Sequence, residues 1–215
     1  MPNYSDPKYW EERYASGGNF DWYMQWPAFR HHVVGLISEK SKILIIGNGN
    51  SRLPMQLYED GFGDITVIDT CEMVVAQMTE QLAECEGVNV HTMDCSRLDF
   101  ASMTFDCVLD KATLDSMLCG YDSFQVVQNT NREICRVLKP GGIFVCVSYG
   151  APSQRLDVFQ QPDLTWTIEH ATTPKVLQTE GEDEEASVHH LYIMRRQAPE
   201  DVEADEFAAE FDKPL

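Results

Sequence analysis

Lys42-Ile43-Leu44-Ile45-Ile46-Gly47-Asn48-Gly49-Asn50-Ser51 is an apolar run that stops in a glycine turn, which is how open α/β sheets end a buried strand beside a nucleotide. Twenty residues past Gly49, a second apolar run, Ile65-Thr66-Val67-Ile68, ends in Asp69. That interval fits strand, turn, helix and second strand, and it sets an acid where it can accept hydrogen bonds from a ribose. The implied ligand carries an adenosine.

The turn also bears on which adenosine. A dinucleotide fingerprint needs a small third residue, so that the helix packs on the strand with its N-terminus facing pyrophosphate. Arg52 stands there. A long side chain at that point argues against pyrophosphate and favours S-adenosyl-L-methionine, which has no phosphate and needs only the first two glycines. On the glycines alone, an ordinary strand-turn-helix without a ligand stays open.

Outward from this centre the chain alternates. Asp6-Pro7 predicts an N-cap and a proline at the first helical position, opening a helix through about Ala15 that Gly17-Gly18 stops. Trp10 and Tyr14 share one of its faces. A second helix is expected from Pro27 to about Ser38, and a short one from Leu53 to Glu59. After Asp69 comes a helix with a stripe of Val74, Val75, Met78 and Leu82. Val88 to Met93 reads as a third strand ending at Asp94, and Phe105 to Leu109 as a fourth ending at Asp110-Lys111. A helix from Asp122 turns Val127, Ile134, Val137 and Leu138 inward and stops at Lys139-Pro140-Gly141-Gly142. Ile143 to Tyr149 is then an apolar fifth strand.

Such alternation demands a parallel sheet with right-handed crossovers. Beyond it, Leu164 to Glu169 and His190 to Met194 read as two more strands, separated by a polar stretch from 172 to 188. That spacing suits a hairpin-like pair better than a parallel crossover. Seven strands closing on an antiparallel edge differ from the six-stranded dinucleotide fold, which again favours the methyl donor.

Composition bounds the rest. A chain of 215 residues buries one sizeable core, so a single domain is expected. Its formal charge of −19 disfavours nucleic acid, which binds through lysine and arginine, and would attract basic proteins. Much of the acid lies in Glu180 to Glu185 and in a tail from Glu200 to Asp212; the tail is expected to be a solvated end, while the role of the 180 to 185 loop stays open. The seven cysteines form no Cys-x-x-Cys pair and read as small buried hydrophobes in a reducing compartment. His31-His32 and His189-His190 are not expected to hold a metal. No apolar run reaches the length of a membrane span, and the N-terminus lacks a signal-peptide pattern, so a soluble, cytoplasmic chain is expected.

Several segments, taken in order over roughly residues 8 to 196, carry a resemblance. They are Tyr9-Trp10-Glu11-Glu12-Arg13-Tyr14, Phe20-Asp21-Trp22, the glycine turn, Met93-Asp94, Asp110-Lys111-Ala112-Thr113-Leu114-Asp115, Arg136 to Gly142, and His190-Leu191-Tyr192-Ile193-Met194. Together they resemble class I S-adenosylmethionine-dependent methyltransferases, and within them the elongation factor 1-alpha lysine methyltransferase group. The resemblance implies a Rossmann-like, seven-stranded, mostly parallel sheet with an antiparallel last strand and helices on both faces. It also implies one domain over 1–196 with an N-terminal helical lid over 1–40, followed by an acidic tail over 197–215. Three positions depart from the pattern. Ile45 stands where the wider superfamily has an acid, although an apolar residue there resembles the lysine methyltransferase group, Asn48 where a cysteine is usual, and Ala112 where glycine is usual.

By resemblance, cofactor contacts fall on Trp10, Tyr14, Trp22, Gly47, Asn48, Gly49, Asp69, Thr70, Asp94, Cys95 and Lys111. Gly47 would let backbone approach the donor's amino-acid part. Asp69 would take the ribose hydroxyls and Asp94 the adenine amino group, with the Cys95 backbone beside it. The aromatic side chains would close over the donor or face its sulfonium, and Lys111 would reach its carboxylate. Methyl transfer needs alignment and exclusion of water rather than a triad or metal. Asp110 and Asp115 are candidates to orient an acceptor amine, although Asp115 equally suits a helix cap, and no catalytic residue is assigned. The implied substrate is a basic protein, possibly elongation factor 1-alpha, and the product S-adenosyl-L-homocysteine. A small-molecule methyltransferase and a donor-binding module without turnover stay open, while Arg52 and the last strands oppose an NAD-dependent oxidoreductase.

Overall fold

The computed structural model describes residues 4–15, 18–121, 123–175 and 187–198. Its centre is a seven-stranded sheet of order β3-β2-β1-β4-β5-β7-β6. The strands are β1 (Ile43–Ile46), β2 (Ile65–Asp69), β3 (Val88–Thr92), β4 (Phe105–Lys111), β5 (Leu138–Ser148), β6 (Trp166–Pro174) and β7 (Val188–Arg196). The first five pair in parallel, and β7 runs antiparallel to both β5 and β6, as a hairpin-like end requires.

β1 is buried along its whole length because both faces are covered. Its side chains alternate: Leu44 and Ile46 join Val108, Phe144 and the helices α6 (Ser123–Val137) and α7 (Pro152–Phe159). Ile43 and Ile45 turn the other way, to α2 (Trp26–Val33) and α3 (Leu53–Glu59). The stripe Val74, Met78 and Leu82 of α4 (Glu72–Gln81) is buried, whereas Val75 beside it is only half-buried. α1 (Pro7–Ala15) begins at the proline, with the Lys8 amide donating to Asp6 Oδ1 at 3.0 Å, and Tyr14 packs against α4 residues.

Several boundaries move. α2 ends at Val33 rather than near Ser38, where the Leu36 amide turns back to the Val33 carbonyl at 2.9 Å across Gly35. The Lys139-Pro140-Gly141-Gly142 segment is not a gap between helix and strand. Leu138 already pairs with Phe105, and the register shifts before Cys107 meets Ile143, so the glycines lie in an irregularity of β5 itself. The strand before the expected polar loop runs further than its apolar residues suggest, with β6 reaching Pro174. Two short helices were not expected: α5 (Thr113–Met117) and α7. The acidic stretch from 180 to 185, the 200 to 212 tail and Asp122, the expected start of α6, lie outside the described residues. None of the described helices is long and apolar enough to cross a membrane.

Candidate functional site

β1 pairs with β2 on one side and β4 on the other, so the crossovers diverge there and leave a crevice at the strands' C-terminal ends. A cavity of about 880 Å³ opens at that point. Every residue named above for the cofactor lines it, from Trp10 and Tyr14 through Gly47, Asn48, Gly49, Asp69, Thr70, Asp94 and Cys95 to Lys111, with Trp22 across from them.

The glycine turn has a reason of its own. Gly47 and Gly49 both take φ of +55°, and a Cβ on Gly47 would sit 2.4 Å from the Thr113 side chain. On Gly49 it would sit 2.4 Å from the Tyr14 hydroxyl. Glycine is therefore required at Gly47 so that Thr113 can dock, a different reason from the approach of a ligand. The Thr113 hydroxyl lies 3.0 Å from the carbonyls of both Ile46 and Gly47, tying the turn to α5.

Asp69 ends β2 half-buried. Its Oδ2 accepts from the Gly49 amide at 2.8 Å and its Oδ1 from the Cys71 amide at 3.0 Å. Each oxygen keeps a further lone pair, so a vicinal diol fits this carboxylate. Burial raises its pKa, and the three backbone amides around it oppose that rise. Asp94 is exposed, with Oδ1 accepting from the Ser96 amide at 2.8 Å. The Cys95 thiol is buried in the core and its pKa is raised by that burial, which leaves its backbone for a ligand. The polar groups present fit an adenosine without phosphate: acids at two strand ends and, at the turn, an exposed Arg52 whose guanidinium lies 3.9 Å from Glu59.

Aromatic rings form the opposite wall. Trp10 stacks on Tyr14 at 5.7 Å and meets the edge of Trp22 at 6.1 Å. The Trp10 indole donates to the Tyr4 carbonyl at 2.7 Å. Residues 18–23 cross the cavity as a strap stitched to the glycine turn: Asn50 bonds Gly18 and Phe20, and Ser51 bonds Asp21. Lys111 holds the strap's middle, 3.3 Å from Asp21 and donating to the Trp22 carbonyl at 3.1 Å. Its ammonium, placed by sequence on the donor's carboxylate, is thus already paired. Burial lowers its pKa, and Asp21 opposes that.

Past Lys111 the structure separates the two acids of the Asp-Lys-x-Thr-Leu-Asp segment, both named as candidates to orient an amine. Asp110 is the cap: it accepts from the amides of Thr113 at 2.8 Å and Leu114 at 3.2 Å, and burial pushes its pKa up to about 6. Asp115 lines the cavity instead, 3% exposed. It accepts from the hydroxyls of Tyr23 (2.8 Å) and Ser148 (2.7 Å), the Tyr149 amide (2.9 Å) and Arg155 Nε (3.0 Å). Tyr23, Ser148 and Arg155 were missed from sequence. The one available signal was Pro152, at the first turn of a helix that presents Arg155 inward.

His189, beside Tyr23 at 4.9 Å between ring centroids, is buried with neither ring nitrogen bonded among the described residues, and burial lowers its pKa to about 4. No group of three metal-ligating side chains occurs among the described residues.

A sheet of this order, with a glycine turn after β1 and acids at the tips of β2 and after β3, defines a class I methyltransferase. A methyltransferase domain model matches residues 44–146. The Mus musculus protein named EEF1A lysine methyltransferase 4 is 33% identical over 180 residues, 79% of this chain and 71% of that protein. Its Bos taurus namesake is 30% identical over 204 residues, 90% of this chain and 76% of that one. Among solved structures, the N-methyltransferase NodS from Bradyrhizobium japonicum, in complex with S-adenosyl-l-homocysteine, shares the fold. The TM-score is 0.63 at 15% identity, covering 92% of this chain and 100% of that one. The chain belongs to the class I S-adenosylmethionine-dependent methyltransferase family and uses that cofactor.

Proposed function

We propose that this enzyme methylates a lysine of a protein, and that the protein is elongation factor 1-alpha. The kinship over 79% of the chain with a protein named for that activity carries the reading. A net charge of −19 suits a basic partner, and a translation factor as substrate implies work in the cytoplasm. In this reading Asp69 holds the ribose hydroxyls, and Asp94 with the Cys95 backbone holds the adenine. Gly47, Asn48, Gly49 and Thr70 offer backbone groups, and Trp10, Tyr14 and Trp22 close over the donor as part of a lid over 1–40 on a single domain over 1–196. Lys111 acts by fixing the strap and by its charge.

When bound, S-adenosylmethionine supplies a methyl group activated on sulfur: the amine lone pair forms the C–N bond while the C–S electron pair returns to sulfur. The chain's own tasks are to orient a neutral amine, exclude water and let the ammonium proton leave first.

The test is methyl transfer from isotope-labelled donor to purified elongation factor 1-alpha, read by mass spectrometry. Label on a lysine is expected. Label confined to small metabolites of a cell extract, with none in protein, would overturn the reading.

A further inference from the structure

We propose that Tyr23 and Asp115 form the subsite that receives the acceptor amine, with the Tyr23 hydroxyl as the group that touches it. This rests on the protein-lysine reading above.

The cavity runs on beyond the residues assigned to the donor, past Lys111 to Tyr23, Asp115, Met117, Val126 and Tyr149. At that end Asp115 is the only carboxylate lining the wall among the described residues, and its oxygens are filled. Oδ1 takes Ser148 and Arg155, while Oδ2 takes the Tyr23 hydroxyl and the Tyr149 amide. The Tyr23 proton is therefore committed to Asp115, and its oxygen retains lone pairs for a partner. Burial and then Asp115 raise the phenol's pKa, so it keeps that proton. A hydroxyl fixed in this way can only accept, and the ligand it selects must bring an N–H or O–H.

Charge narrows the choice to an amine that can shed a proton. Arg155 Nη2 lies 2.9 Å from Asp115 and Lys111 lies 3.3 Å from Asp21, while Asp110, whose charge also reaches Tyr23, is buried behind the wall with its oxygens on the Thr113 and Leu114 amides. An arriving ammonium finds an acceptor oxygen but no unpaired carboxylate on the described lining at this end to hold it charged, and its proton passes to water at the cavity mouth. Met117, Val126 and Tyr149 offer an apolar lining for the lysine methylenes. The backbone at Tyr23 takes φ of +65°, a left-handed conformation that bulky residues rarely adopt. The strap holds it there, with Lys111 on one side and Asp115 on the other.

The test is Tyr23→Phe, which keeps the ring and removes only the oxygen. Calorimetry with S-adenosylhomocysteine and a thermal melt check that donor affinity and fold persist. A fall in kcat of tenfold or more, with acceptor KM and donor affinity within about twofold, supports the subsite. So does a saturable shift of the 13C-labelled Tyr23 ring when n-butylamine is added to the wild-type protein loaded with S-adenosylhomocysteine. An unchanged kcat in an enzyme that does methylate lysine, or a loss that merely tracks donor affinity or melting, sinks the subsite and leaves the function standing. Wild-type protein that binds donor yet methylates no protein lysine overturns both.

Discussion

The two ends of the cavity are built in opposite ways. The donor end is made of short contiguous stretches, each closing one strand of the sheet: Gly47 to Gly49 after β1, Asp69-Thr70 after β2, and Asp94-Cys95 after β3. The far end gathers Tyr23, Asp115, Ser148 and Arg155 from the strap, α5, β5 and α7, separated by 92, 33 and 7 positions in turn. A cofactor common to a whole family can be read by local turns that the sheet topology always brings together. An acceptor peculiar to one enzyme is met by side chains that only the finished fold assembles.

That division predicts where substitutions act. The largest effect is expected from Arg155→Met, which leaves a 3%-exposed Asp115 without its cation. Breaking such a pair costs about 3 kcal/mol or more, roughly 6–12 °C in a chain of this size. Differential scanning calorimetry should record that drop while the folded variant still binds S-adenosylhomocysteine. Loss of donor affinity without loss of stability would put Arg155 at the donor end instead.

Asp69→Ala should do the reverse. Losing the paired hydrogen bonds to the ribose is expected to weaken donor binding by about 2–3 kcal/mol, roughly 30- to 150-fold in Kd. Titration calorimetry reads this directly, and unchanged affinity would retire Asp69 as the ribose acceptor.

Acid sharpens the contrast next. His189 has a folded pKa of about 4, by burial, against its ordinary 6.5. As pH falls through that window the unfolded chain takes up a proton the folded chain refuses, and stability is lost. Asp110 is opposite: burial lifts it to about 6 from 3.8, so the folded chain binds the proton first and stability grows as pH falls. The two slopes nearly cancel in the wild type. Between pH 7 and 4.5, urea unfolding of His189→Phe should therefore gain about 2 kcal/mol relative to wild type, and Asp110→Asn should lose about as much. Parallel pH profiles in all three proteins would show that neither group is buried as described.

The smallest effect belongs to Ala112, which takes φ of +77°. Ala112→Gly relieves a left-handed alanine and should raise stability by about 1 kcal/mol, some 2–4 °C. A lower melting temperature would mean the methyl group packs better than its backbone is strained.

The same division explains what the sequence disclosed. The apolar runs and glycine turn place β1 to β5, and the residues assigned to the donor line the same cavity, because strand ends converge wherever crossovers are right-handed. The hairpin of β6 and β7 was legible from spacing, but its length was not, since Ala171, Thr172 and Thr173 carry no apolar alternation to mark them as strand. Asp110 and Asp115 were both visible as acids. Which one caps α5 depends on the left-handed turn at Ala112, and no local pattern foretells it. Tyr23 reads as one more aromatic of the N-terminal segment until the strap folds over Asp115.

A crystal structure with S-adenosyl-L-homocysteine bound is the most direct measurement. The ribose should lie on Asp69 and the adenine beside Asp94, with the sulfur turned toward Tyr23 and Asp115. An adenosine bound elsewhere, or a sulfur facing away from that pair, would undo the assignment of the cavity's two ends.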